Sequence, residues 1–246
     1  MRHTPAIACA LLGALLLCLP RPASALVLSK GLIHYARDME FYYEQPRPES
    51  LIQLLRGLER AGVLGNAEKR MMVAAFLGEA MSRDKAAASS LRASGQQLGQ
   101  QATQTLAWAV RLGNPPQAAE WLAGLLMGAS EILRGQIMAC PASLASWDIT
   151  RETSVLQMYW GAFMASGRRE WVAEIVRAAC VYARLNASGR PRDPAFSVCR
   201  AAAASLYEMA PRHAAVRACV ADALRTASGA EATALTIILQ QRPTPQ

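Results

Sequence analysis

The sequence predicts an all-α protein, an array of about ten antiparallel helices wound as an α-α superhelix. Three observations predict it. Apolar residues recur at i, i+3, i+4 and i+7 in one segment after another. Glycine, proline and polar caps close these segments at short intervals. The alternating, β-branched pattern of a strand is almost missing. With 52% apolar residues but only 6% aromatic ones, the core must be built from small and aliphatic side chains, which suits closely packed helices.

The elements follow in order. Residues 28–44 read as a first helix, ended by Pro46 and Pro48. Pro48 then suits the first turn of a helix over 48–61, whose apolar side is Leu51, Ile52, Leu54, Leu55 and Leu58, and which stops at Gly62. Asn66 caps the next, with Met71, Met72, Ala75, Phe76 and Met81 toward a core. A weaker helix spans 84–94, and "QQLGQQATQTLAWAVRLG" forms another that stops at Gly113. "NPPQAAEWLAGLLMG" opens with a cap and prolines and buries Trp121, Leu122 and Leu125. Residues 136–147, "QIMACPASLASW", lack a sustained period and read as a linker between two halves, 26–135 and 148–241. Asp148 or Thr150 caps "RETSVLQMYWGAFMASG", which stops at Gly167, and helices over 169–185, 195–209, 212–227 and 230–241 follow. The tail, 242–246, reads as loose.

The first residues carry a different message. Arg2 precedes an apolar run over 6–19, which is shorter than the roughly 20 residues a membrane span needs. Pro20 and Pro22 break the run, and Ala23-Ser24-Ala25 is a small-x-small site. This is the pattern of a secretory signal peptide, 1–25, cleaved after Ala25, and it points to a periplasmic or secreted protein without a transmembrane helix in the mature chain. The net charge of +8 falls to +6 when Arg2 and Arg21 leave. The 23 arginines against 3 lysines are scattered, with no basic–aromatic interleaving, which speaks against nucleic acid as a partner.

Four cysteines remain after the leader: Cys140, Cys180, Cys199 and Cys219. Their spacing suits neither a zinc ribbon nor a redox CxxC. In an oxidising compartment an even number suggests disulfides. Cys180 lies about five residues before the helix end near Leu185 and Cys199 about five after the restart at Asp193-Pro194, so an antiparallel pair sets them at one height. That favours Cys180–Cys199 with Cys140–Cys219 over the rival set Cys140–Cys180 with Cys199–Cys219, and buried free thiols are the other reading.

"MYWGAFMASGRREWVAEIVRAA", 158–179, resembles one tetratricopeptide unit, with Trp160, Gly161 and Phe163 on its first helix, a turn at Gly167, and Val172, Val176 and Ala179 on its second. Gly161 is displaced by one from the place that pattern gives its glycine, and the chain keeps no steady 34-residue period. Together with the leader and "FYYEQPRPESLIQLLRGL", the chain also resembles a group of uncharacterised exported bacterial all-helical proteins with tetratricopeptide-like hairpins. That resemblance implies a fold and a compartment and no catalytic residue.

Chemistry-bearing motifs are sparse. The mature chain has two histidines, His34 and His213, and no HExxH, Walker loop, GxGxxG or GxSxG, so no cofactor, metal or nucleotide is expected. Ser82 to Lys85 fits SxxK, but at the end of a helix and with no KTG downstream. A glycosidase would need paired carboxylates, for which Glu44 with Glu40 or Asp38 are the candidates. Phe41, Tyr42, Tyr43 and Glu44 read mainly as a plug over the first hairpin, with Tyr42, Tyr43, Glu44 and Trp147 as a possible binding surface. Met71, Met72 and Met81 could line a lipid or small-ligand pocket, though core is the commoner role for methionine at this spacing. Asn186-Ala187-Ser188 is a glycosylation sequon, which matters only in a eukaryotic secretory pathway. The expected function is that of a helical binding or scaffold protein of the bacterial envelope, without catalysis and with an envelope protein as partner. The alternatives are a glycan- or lipid-acting enzyme and a carrier.

Overall fold

Twelve α-helices and no strand occupy the described residues, 33–94 and 98–241, of the computed structural model. In chain order they are α1 (Ile33–Glu40), α2 (Leu51–Arg60), α3 (Ala67–Arg83), α4 (Lys85–Ser94), α5 (Gln100–Gly113), α6 (Ala118–Leu125), α7 (Glu131–Ala139), α8 (Thr153–Ser166), α9 (Arg169–Ala187), α10 (Phe196–Met209), α11 (Ala214–Leu224) and α12 (Gly229–Leu239). The leader and the tail at 242–246 lie outside the described residues. No helix among the described residues is long and apolar enough to cross a membrane.

Local chemistry sets the helix ends. Asn66 accepts the Lys69 N–H at 3.0 Å and starts α3. Glu59, at the end of α2, reaches the start of α5 and accepts the Gly99 and Ala102 N–H groups at 3.1 and 2.9 Å, so one carboxylate satisfies two orphan donors at a positive helix end. Ser130 accepts the Leu133 N–H at 3.3 Å and starts α7, which takes up the first part of the stretch read as a linker. The irregular chain begins only at Cys140, because Pro141 denies the helix its next donor.

The organising contact joins distant parts of the chain. α3 lies between α5 and α8, and these are its two most extensive interfaces. At the crossing with α8, a Cβ on Gly161 would stand 2.2 Å from the Met72 carbonyl oxygen, so only glycine permits this approach. Phe76 from α3 and Trp160 and Phe163 from α8 fill the core beside it and are fully buried. The Trp160 Nε1–H donates to Ser205 Oγ on α10 at 3.0 Å, so this buried indole is satisfied. α8 and α9 form a hairpin whose turn residue, Gly167, has φ of +65°. α9 then packs on α10, α11 and α12, and Arg169–Asp222 and Arg184–Glu231 ion pairs tie it to the last two. In a repeat stack each unit meets only its sequence neighbours; here α3 pairs with α8, five helices further on.

The disulfide expectation is corrected. Cys140, Cys180, Cys199 and Cys219 are all free thiols. α9 runs to Ala187, seven residues past Cys180, whereas α10 starts at Phe196, three residues before Cys199. The two cysteines are thus offset by about four residues along the helix pair, roughly 6 Å. Cys199 is also fully buried in the core, whereas Cys180 is half-buried at its edge.

Candidate functional site

The segment 39–44 closes against the far end of the chain. Met39 and Glu40 are buried at the end of α1, and a single tight turn over Tyr42–Glu44 follows. Tyr42 points inward, edge-on to Phe76 at 5.2 Å, and burial pushes its phenol up to about 12. It therefore offers no binding surface, contrary to the sequence expectation: a ring 6% exposed in the core meets no partner. Tyr43 is half-buried and lies across the α8–α9 turn, with a ring carbon 2.7 Å from where a Cβ on Gly167 would stand. Glu44 is exposed and accepts the Tyr43 hydroxyl proton at 3.0 Å.

His213, between α10 and α11, is the centre of this contact and is fully buried. Its Nδ1 lies 3.1 Å from the Tyr43 hydroxyl and its Nε2 lies 3.0 Å from Glu40 Oε1. Arg212 donates to the other Glu40 oxygen. Phe41 stacks on the imidazole at 4.7 Å and Phe163 meets its edge at 5.5 Å. The contacts Glu40–His213, His213–Tyr43 and Tyr43–Glu44 thus join two carboxylates, an imidazole and a phenol in one continuous hydrogen-bonded chain. Burial first, then the bond to Glu44, raises the Tyr43 phenol and keeps it protonated.

A carboxylate, an imidazole and a phenol in series could move protons, but the carboxylate and the imidazole are closed off from solvent. Phe41 and Phe163 cover the imidazole, and Glu40 is only 6% exposed. Glu40 is already committed to Arg212 and His213, so it is not a free second carboxylate for Glu44. The arrangement is a polar clamp that holds the start of the described chain to its last third. The sequence carried the parts, Glu40 and a lone His213, without a sign that they meet.

The other sequence candidates are placed as follows. Trp147 is half-buried against the core, and its carbonyl accepts the Tyr159 hydroxyl at 3.2 Å. Met72 and Met81 are buried core residues, and Met71 packs against the core. Ser82 spends its hydroxyl on the Glu79 carbonyl at 2.9 Å. No cluster of His, Cys, Asp and Glu suited to a metal occurs among the described residues.

One surface stands out for its exposure. Met127, Ile132 and Met138 are 82%, 75% and 53% exposed, and all lie on the turn after α6 or on α7. At 100° per residue, Ile132 and Met138 flank Gly135 on the side of α7 opposite the buried Ile137. A Cβ on Gly135 would meet nothing within 4 Å, so this face is flat and open. The helix beneath it is held firmly: Arg111 donates to the Cys140 carbonyl at 2.9 Å and to that of Met138 at 3.3 Å, closing the C-terminal end of α7. Compared with known proteins, the chain matches no family model, no curated protein and no solved structure. The function therefore has to be argued from these residues.

Proposed function

We propose that this is a non-catalytic binding or scaffold protein of the bacterial envelope, which docks a partner protein on the outer face of α7. The observation that carries the reading is the exposure of Met127, Ile132 and Met138 on one short, well-anchored segment. Large apolar side chains grouped in this way are kept in water where a partner covers them. Methionine suits such a face because its flexible thioether repacks against the partner. The leader-like residues 1–25 support the compartment.

The test places a photo-crosslinking residue at Ile132 in the full chain and captures what it joins in the cell envelope. The expected result is one dominant protein, recovered by wild type and lost in an Ile132→Lys, Met138→Lys variant of unchanged thermal stability. Equal recovery by the variant, or no recovery from abundant folded protein, refutes the docking face.

A further inference from the structure

A second place in the fold holds two buried polar atoms of opposite kind without a hydrogen bond. Glu79, near the end of α3, has a side chain only 9% exposed, and its Oε1 is buried without a hydrogen bond. The nearest cation is Arg168, with Nη1 3.7 Å away, an ion-pair distance too long for a hydrogen bond. Trp171, in the first turn of α9, has a buried Nε1–H that is also unsatisfied. Both residues line one cleft, of about 280 Å³, between α3, the end of α5, the 142–144 loop and the start of α9. Ala75 and Ala162 form part of its lining, and their small side chains leave the space open, while Leu112 and Leu144 give it apolar walls. Buried polar atoms in folded proteins almost always have partners, so a missing acceptor and a missing donor in one cleft call for an explanation.

We propose that this cleft binds a small zwitterion of amino-acid size, with its ammonium on Glu79 and its carboxylate on Trp171 Nε1–H and Arg168. The charges select this class. A lone cation on Glu79 would be repelled by the adjacent guanidinium, and a lone anion on Arg168 by the adjacent carboxylate. A ligand carrying both charges meets both. Arg168 is held in place for this role: its Nη2 donates to Glu170 at 2.9 Å, and its guanidinium lies 5.4 Å from the centre of the Trp171 ring. The volume lies just below the usual range for drug-sized ligands, about 300–1,000 Å³, which limits the ligand to a single small residue or its like. The site is separate from the α7 face, so failure of partner capture there leaves it standing, and the reverse holds too.

The experiment is titration calorimetry on the full mature chain with the free amino acids one by one, their N-acetyl and methyl-ester forms, and glucose and N-acetylglucosamine as uncharged donors and acceptors. One or more free amino acids are expected to bind, with a loss of about tenfold or more on N-acetylation and a similar loss on esterification. Glu79→Gln, which keeps the shape, is expected to weaken binding by about tenfold or more, and Trp171→Phe by several-fold, with each variant's thermal transition measured alongside. Binding of the sugars in place of the amino acids overturns the zwitterion class. Absence of binding across the set overturns the site. Unchanged affinity in both variants, or unchanged affinity for the N-acetyl forms, overturns the assignment of the ammonium to Glu79.

Discussion

Adding one methyl group at Gly161 tests the α3–α8 crossing most sharply. The new Cβ would lie 2.2 Å from the Met72 carbonyl oxygen and 3.1 Å from its carbonyl carbon, both main-chain atoms that cannot swing aside. Carbon–oxygen contacts settle at about 3.3 Å or more, so the helices must part by about 1 Å at this point. Phe76, Trp160 and Phe163 pack there with no exposure, and a radial gap of about 1 Å forfeits up to half of a dispersion contact. Overpacking of this kind costs about 3 kcal/mol. Alanine's better helix propensity returns about 1 kcal/mol. The net loss, about 2 kcal/mol, corresponds to a Tm lower by about 4–8 °C for a chain of this size. Gly135→Ala on α7 is the control, because a Cβ there meets nothing within 4 Å and only the propensity gain of about 1 kcal/mol remains. Thermal unfolding followed by circular dichroism reads both. A Gly161→Ala protein as stable as wild type would refute the close crossing of α3 and α8.

Three further outcomes follow from the clamp, the phenols and the thiols. Glu40→Ala should cost about 2–3 kcal/mol in chemical denaturation, below the 3–5 of a fully buried pair because Arg212 stands half in water, while Glu44→Gln should change stability by less than about 1 kcal/mol; equal effects would contradict the clamp. Tyr42, pushed up to about 12 mainly by burial, and Tyr43, also raised by burial, keep their protons in the folded state after the unfolded chain has lost its own near 10. Their contribution is therefore complete below pH 10 and drains away as pH rises toward 12, so Tm should fall across that window and fall less in Tyr42→Phe; a flat profile would contradict their burial. Burial pushes the Cys199 thiol up to about 11, so iodoacetamide at pH 8 should leave it unlabelled in the folded protein, whereas unfolding without reductant should expose four reactive thiols, and any mass lower by a disulfide would restore the bridged reading.

Helical periods, caps and turn glycines were legible because each is local. Leu51, Ile52, Leu54, Leu55 and Leu58 share one face whatever else the chain does, and Gly167 ends α8 for reasons contained in its own φ. The start of α7 was missed because Pro141 and the small residues after it blurred the segment, although Ser130 followed by Glu131 was a readable cap. The cysteine pairing failed on errors of one or two residues at the helix ends, which set the two thiols about a turn apart. The clamp could not be read at all, since His213 and Glu40 are 173 residues apart and neither sits in a motif. The cleft left one faint trace: Glu79 is a lone acid between the buried Gly78 and Ala80, and an acid in such a run needs a reason.

The clamp between Glu40 and His213 also sets the order in which this chain can become a protein. Joining positions 173 apart closes a loop whose entropy cost is about 4.5 kcal/mol by the logarithmic law, and nothing returns that cost until both ends are present. A solenoid can grow from one end, each unit stabilised by the last. This chain can pack α3 on α5 early, but the α3–α8 crossing and the clamp close only when α8 and the α10–α11 corner are present. Non-local closure of this kind predicts slower folding than that of a helical repeat stack of the same length.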